Sequence, residues 1–161
     1  MRGGAIDIVV NPITPQIIAA RPAWTRSFHT EKIGRKADEV NSVTLEQMLS
    51  QMDAAGIERS FLIACALGQE GTPGAWHMPY EWIAAAVAQY PDRFSGLAGV
   101  DPTEGMQGVR KLEWAVRELG FIGAHTYPHW FELPPNHRKF YPLYAKCCEL
   151  GFEFKCCHQS I

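Results

Sequence analysis

The chain has 161 residues, a formal net charge of −2, 47% hydrophobic and 20% charged residues, which is the balance of an ordinary soluble globular protein with length for one packed domain. There is no basic run to recruit nucleic acid or an anionic membrane, and no apolar run of membrane-spanning length. The N-terminus, MRGGAIDIVV, turns strand-like too soon for a signal peptide.

Ala5–Val10 reads as a first strand, ended by the two prolines of NPITP. Residues 12–42 then form a long polar insertion holding Trp24, Phe28 and His29, without sustained periodicity; a loop of this length in a compact domain is either functional or disordered. In SVTLEQMLSQMDAAGI, Ser42 or Thr44 can cap a helix with Leu45, Met48, Leu49 and Met52 at helical spacing, and Gly56 sits where its C-terminus needs positive φ. Arg59–Cys65 reads as a buried strand, followed by a Gly- and Pro-rich connecting loop with Trp76 and His77. The next helix, Tyr80–Gln89, puts Trp82, Ile83, Ala86 and Val87 on one face. Phe94–Val100 is the third strand, closed by Asp101–Pro102. EGMQGVRKLEWAVREL is a helix with Val109, Leu112, Trp114, Val116 and Leu119 turned inward, ended by Gly120. A fourth strand, Phe121–Tyr127, a helix, Phe140–Leu150, and a fifth strand, Phe152–Cys157, complete the chain.

Strands alternating with helices predict parallel βαβ units, and after the insertion the strands recur about every 30 residues. Periodicity alone does not separate a barrel from an open doubly wound sheet. The turn after strand one, VVNPITP, lacks both GxGxxG and GxxxxGK[ST], which argues against a nucleotide-binding open sheet. The expected fold is therefore α/β, the N-terminal part (about strands one to five) of a (β/α)8 TIM-type barrel, with residues 1–161 as a single, incomplete domain.

In such a barrel the chemistry sits at the C-terminal strand ends. That rule selects Asn11, Cys65, Asp101, His125, Tyr127, His129 and His158. His125, Tyr127 and His129 alternate within GAHTYPHW and would share one side of a continuing strand, although Pro128 ends the ladder. Histidine offers a metal-binding nitrogen or an acid/base group, and tyrosine can donate to an oxyanion. The bland alternatives are a core His125 bonded to a backbone carbonyl and a His129 on a solvated loop. His158 is a single candidate ligand, where zinc needs three or four. Asp101 reads as a turn or cap residue. The five cysteines, Cys65 and the pairs Cys147–Cys148 and Cys156–Cys157, have no CxxC spacing and read as small apolar thiols in a reducing, cytoplasmic setting.

The segments IDIVVNPITP, QMDAAGIERSFLIA, YPDRFSGLAGVDP, VRELGFIGAHTYPHW and YPLYAKCCELG, in this order, resemble the amidohydrolase-related family. This is the branch of the amidohydrolase superfamily that contains aminocarboxymuconate-semialdehyde decarboxylase and related decarboxylases, hydratases and lactonases. The resemblance implies the first half of a (β/α)8 barrel and a hydrolase or carboxy-lyase acting on a small carboxylated substrate. It also implies a divalent metal, zinc foremost, held by H-x-H on strand one, histidines on strands five and six, and an aspartate on strand eight. Here the H-x-H falls on Val9 and Asn11, and His158 matches the strand-five histidine when FKCCHQSI is aligned as that strand. Some relatives, including a pyrone-dicarboxylate lactonase, work without metal, so strand-end polar groups can take over. The resulting assignment is His125 and Tyr127 as catalytic, Asn11 and His129 as substrate-binding, and His158 as a metal ligand. The strand-eight aspartate falls beyond Ile161, so the chain is expected to be a truncated portion and inactive alone. The alternative is a non-catalytic half-barrel that self-associates into a homo-oligomer through the open edges of its first and last strands.

Overall fold

In the computed structural model, residues 4–34, 36, 42–152 and 154–156 are described. Seven strands are β1 (Ala5–Val10), β2 (Ile57–Ala64), β3 (Ala66–Leu67), β4 (Trp76–His77), β5 (Phe94–Gly99), β6 (Gly123–Thr126) and β7 (Phe154–Cys156). Five of them form one parallel sheet in the order β1-β2-β5-β6-β7. Spatial order follows chain order throughout, whereas a doubly wound sheet reverses at a switch point. The sheet is singly wound and curled, the beginning of a (β/α) barrel as the sequence leads one to expect.

Each crossover carries a helix. Residues 15–32, inside the stretch read as a loop insertion, hold α1 (Pro15–Ala20), α2 (Trp24–Ser27) and a π-helical turn, Phe28–Lys32. Then come α3 (Leu45–Ala55), α4 (Tyr80–Gln89), α5 (Met106–Leu119) and α6 (Tyr141–Leu150). Of the two cap candidates for α3, Thr44 serves: its hydroxyl accepts from Gln47 N (3.2 Å) while its own N–H donates to Gln47 Oε1 (2.9 Å). Gly56 ends the helix at φ 71°, a left-handed conformation that glycine adopts without a Cβ penalty.

The core lies between the sheet and these helices, built from Leu62, Phe94, Ile83, Leu112, Phe140 and Leu143, each no more than 1% exposed. One inward assignment needs correction. Trp114 is 41% exposed and lies nearly parallel to the Tyr80 ring, 6.3 Å away. The buried stripe of α5 runs through Gly108, Val109, Leu112 and Ala115, and at 100° per residue Trp114 falls about 150° from the centre of that stripe. Three strand ends also move: Cys65 lies just past β2, Val100 just past β5 and Tyr127 just past β6. The segment read as a plain loop after the second strand contains a two-residue ribbon, with Ala66 opposite His77 and Leu67 opposite Trp76.

Asp101 is the cap residue that its position suggests, and more. Its Oδ1 accepts from Thr103 N (2.7 Å) and Thr103 Oγ1 (2.6 Å), and its Oδ2 accepts from Glu70 N (3.2 Å). It therefore ties the loop between β3 and β4 to the end of β5. Asp101→Ala is expected to cost about 2 kcal/mol, combining a lost cap with a lost charged acceptor. Urea denaturation checks this, and an unchanged midpoint would deny the tie.

Candidate active site at the strand ends

Asn11 follows β1 and Tyr127 follows β6, with two strands between them. In a flat sheet strands three places apart are roughly 14 Å apart. Their side chains nevertheless meet across the concave face: Asn11 Nδ2 donates to Tyr127 Oη at 2.9 Å, and the hydroxyl lies 3.1 Å from Asn11 Oδ1. The curl of the sheet therefore joins two residues 116 positions apart in the chain.

This pair forms one wall of a cavity of about 300 Å³, whose other walls include Arg21, Trp24, Cys65 and Trp76. Trp24 packs on Trp130 with ring centroids 5.1 Å apart. α1 and α2 bring Arg21 and Trp24 to the strand ends. The Arg21 guanidinium lies 5.4 Å over the Trp76 ring, its Nη2 donates to Pro12 O at 3.4 Å, and its buried Nε has no acceptor. Burial lowers the Arg21 pKa, with the neighbouring Cys65 and Tyr127 acting in the opposite direction. The buried Nε1 of Trp24 also lacks an acceptor. His29, at the same cavity, donates from Nδ1 to Thr25 O (2.7 Å).

The sequence-derived candidates divide at this site. Asn11 and Tyr127 come together and line the cavity. His125 lies behind Tyr127, ring edge to ring face at 4.4 Å, with no exposure. It is a core histidine, but the carbonyl bond considered for it is not formed, and neither ring nitrogen has a partner. Burial pushes its pKa down to about 4, so the ring is neutral at neutral pH. His129 is half-buried on the turn Pro128–Phe131, where the proline bends the chain as expected; its ring lies 6.0 Å from Tyr127 and 6.1 Å from Trp130. His158 lies outside the described residues.

Cys65 borders the cavity as an inert wall, because burial raises its pKa to about 12. The described thiols of Cys65, Cys147 and Cys148 are all free. Arg21, Trp76 and Trp130 were not singled out as functional from the sequence, and Trp24 was noted only as part of the long insertion. The available signal was an arginine and a tryptophan in a long insertion directly after strand one, where barrels place their sites.

A second cluster stands apart from this cavity. Glu70, His77 and Glu104 bring one ligand-type atom each within 4.8 Å of one another. Lys111 Nζ already bridges the two carboxylates, 3.3 Å from Glu70 Oε2 and hydrogen-bonded to Glu104 Oε1, and His77 Nε2 donates to Gly68 O at 2.8 Å. Lys111 sets one positive charge against the two carboxylates, and burial raises the Glu104 pKa while its Lys111 bond opposes that shift.

The amidohydrolase family model matches residues 35–159. Among solved structures, 5-carboxyvanillate decarboxylase from Novosphingobium aromaticivorans, with bound manganese and 3-methoxy-4-hydroxy-5-nitrobenzoic acid, superposes with a TM-score of 0.69 at 19% identity, covering 95% of this chain and 50% of that one. The 2,6-dihydroxybenzoate decarboxylase from Rhizobium gives 0.65 at 17% identity, covering 98% and 50%. An uncharacterised TIM-barrel protein from Bordetella bronchiseptica gives 0.62 at 23% identity, covering 94% and 54%. The chain thus spans about half the length of these structures, and the shared fold is the TIM barrel. Among the described residues no helix is long and apolar enough to cross a membrane.

The donors around the cavity do not fit a divalent ion. At the two strand-one positions stand the hydrocarbon Val9 and the amide Asn11, which is committed to Tyr127. Among the described residues no carboxylate lines the cavity, and its lining histidine, His29, spends Nδ1 on Thr25 O, so that even with the buried His125 the set falls short of a coordination shell. The metal-ligating type of group that the described residues do contain is Glu70, His77 and Glu104.

Proposed function

The chain belongs to the amidohydrolase family, and from that premise we propose that it carries the substrate-recognition part of a barrel of the carboxy-lyase kind, acting on a small carboxylated, aromatic substrate. The observation that carries this reading is the Asn11–Tyr127 pair, 2.9 Å apart on the wall of an aromatic-lined cavity at the strand ends. The neighbouring decarboxylases add support for the substrate class.

In such a reaction the bond between the substrate carbon and its carboxylate breaks, the electron pair stays on carbon, a proton replaces the lost group, and CO2 leaves. Tyr127 and Asn11 would hold a substrate hydroxyl or carbonyl oxygen by exchanging their mutual bond for bonds to the ligand. His125 supports the Tyr127 ring from behind. Being neutral and buried, it acts in positioning. The His129 ring lies edge-on to the same ring, 6.0 Å away. For a divalent cation the described residues offer Glu70, His77 and Glu104, whose two carboxylates already share the Lys111 ammonium.

The test is calorimetric titration of the chain with 2,6-dihydroxybenzoate, with CO2 assayed in the same samples. Saturable binding is expected, weakened about tenfold in Tyr127→Phe by the loss of one hydrogen bond (roughly 1.4 kcal/mol), without CO2 above background. Absence of binding at millimolar ligand would overturn the recognition reading. Release of CO2 would overturn the assignment of recognition alone to these residues.

A second reading, self-association through β1, rests on a different observation. Ile6, Ile8 and Val9 are 55%, 44% and 36% exposed, so this strand presents apolar surface on both faces. Sedimentation analysis decides it: a monomer at high concentration counts against association.

A further inference from the structure

The β3–β4 ribbon is rooted in the core and exposed at its tip. At the root, Cys65 and Met78 are each 3% exposed, and Met78 N donates to Cys65 O at 2.9 Å. Residues 69–74, at the tip, are all exposed. Within the tip the bonds are local turns: Thr72 N and Oγ1 donate to Gln69 O at 3.1 and 2.6 Å, and Ala75 N donates to Thr72 O at 3.1 Å. Among the described residues, every hydrogen bond or ion pair that ties residues 69–74 to another element is made by Glu70. Its N–H donates to Asp101 Oδ2 at 3.2 Å, and its Oε2 lies 3.3 Å from Lys111 Nζ.

Glycines in the left-handed region flank this stretch, Gly68 at φ 72° and Gly74 at φ 84°. Small residues at the ends of a segment are suited to absorb the backbone rotation of a hinge. The Glu70 and Lys111 side chains are 61% and 38% exposed, and an ion pair in that much water holds weakly. Lys111 also divides its charge with Glu104. Opening of the tip therefore costs far less than unfolding of the sheet beneath it. The tip forms one side of a hollow of about 320 Å³, and Trp24 and Trp130 stand on the other. The same two rings line the strand-end cavity, so they border both spaces. The Nε1 of Trp24 is buried.

We propose that residues 68–75 are a hinged lid over the Trp24–Trp130 pair, latched to the barrel by Glu70. Latched, the tip closes the hollow; released, it swings about Gly68 and Gly74 and admits water and solutes to the tryptophan pair. The lid stands apart from the recognition reading, because it governs access to the cavity whatever the cavity binds.

Hydrogen exchange followed by NMR reads both the latch and the cover. The reporters are the backbone amides of Thr72 and Ala75 and the indole N–H of Trp24, identified by its loss in Trp24→Phe. Glu70→Gln removes the charge and keeps the backbone bond to Asp101. In this variant all three reporters are expected to exchange about fivefold faster, while the amides of β5 stay unchanged. Sodium chloride screens the pair, so it should bring the parent toward the Glu70→Gln rates and leave the variant unmoved. Reporters indifferent to Glu70→Gln, or already exchanging at unstructured rates in the parent, would overturn the latch. Tip amides that quicken while the Trp24 indole does not would overturn the cover. A rise that includes β5 would mark general destabilisation and likewise deny the lid.

Discussion

Gly99→Ala is expected to destabilise the chain by more than about 3 kcal/mol, a large share of the roughly 5–15 kcal/mol that stabilises a typical domain. Gly99 ends β5, and a Cβ built on it would overlap the carbonyl oxygen of Ala64 and lie 2.8 Å from Ala66 N. These are backbone atoms, so no side chain can swing aside to relieve the overlap. The end of β2 would have to move, taking with it the Ala64–Ala98 register and the ribbon that begins at Ala66. Two further links converge on the same residue: Gly99 O accepts from the Tyr80 hydroxyl at 2.6 Å, and Gly99 is the register partner of His125. Urea unfolding followed by circular dichroism should show the midpoint falling by about 1 M or more. A midpoint within experimental error of the parent would mean that the β2 end yields freely, and the close-approach argument would fail.

The second large effect is a loss of stability on acidification with its source in His125. In the unfolded chain this histidine titrates near 6.5; in the fold, burial holds it at about 4. Above pH 6.5 the ring is neutral in both states and contributes no pH dependence. Between 6.5 and 4 the unfolded chain takes up a proton that the folded chain refuses, so stability falls as pH falls. The slope reaches about 1.4 kcal/mol per pH unit and the total about 3 kcal/mol. Carboxylates such as Glu46 and Glu113, whose pKa values are lowered by their hydrogen bonds, lose their contribution at still lower pH. The upper part of the acid limb therefore belongs to histidine. His125→Phe replaces an unpartnered polar ring by an apolar one and is expected to flatten the stability profile between pH 6.5 and 4. It should also raise stability at pH 7, since two unmatched nitrogens leave the core. Profiles for parent and variant that run parallel through this window would sink the assignment.

Particular residues show where sequence reading succeeds. Thr44 with Gln47, Gly56 at the helix end, and the Tyr80–Gln89 boundaries are all local chemistry, and each is found where local rules put it. Asp101 was legible as a cap because Pro102 and Thr103 follow it; its second acceptance, from Glu70 N, spans 31 residues and leaves no local trace. Trp114 was misplaced for a related reason. Its size suggested burial, but it lies on the far side of α5 from the buried stripe, where it stacks with Tyr80 and stays 41% exposed. The candidate site follows the same division. Asn11 and Tyr127 were selected by the strand-end rule, but the bond between them was not foreseeable. Arg21 and Trp24 sit in a stretch without periodicity, where pattern offers no orientation.

The order of strands and helices and the caps and turns are properties of the sequence by itself, because each depends on contacts between residues near one another in the chain, and family membership is carried by the residue pattern along it. The meeting of Asn11 with Tyr127, the isolation of His125 from every hydrogen-bond partner, and the arrival of an uncompensated Arg21 beside three tryptophans were decided only by the tertiary structure. The physical reason is the curl of the sheet. It brings separate strand ends within hydrogen-bond reach and removes water from between them, and both distance and dielectric belong to the packed molecule as a whole.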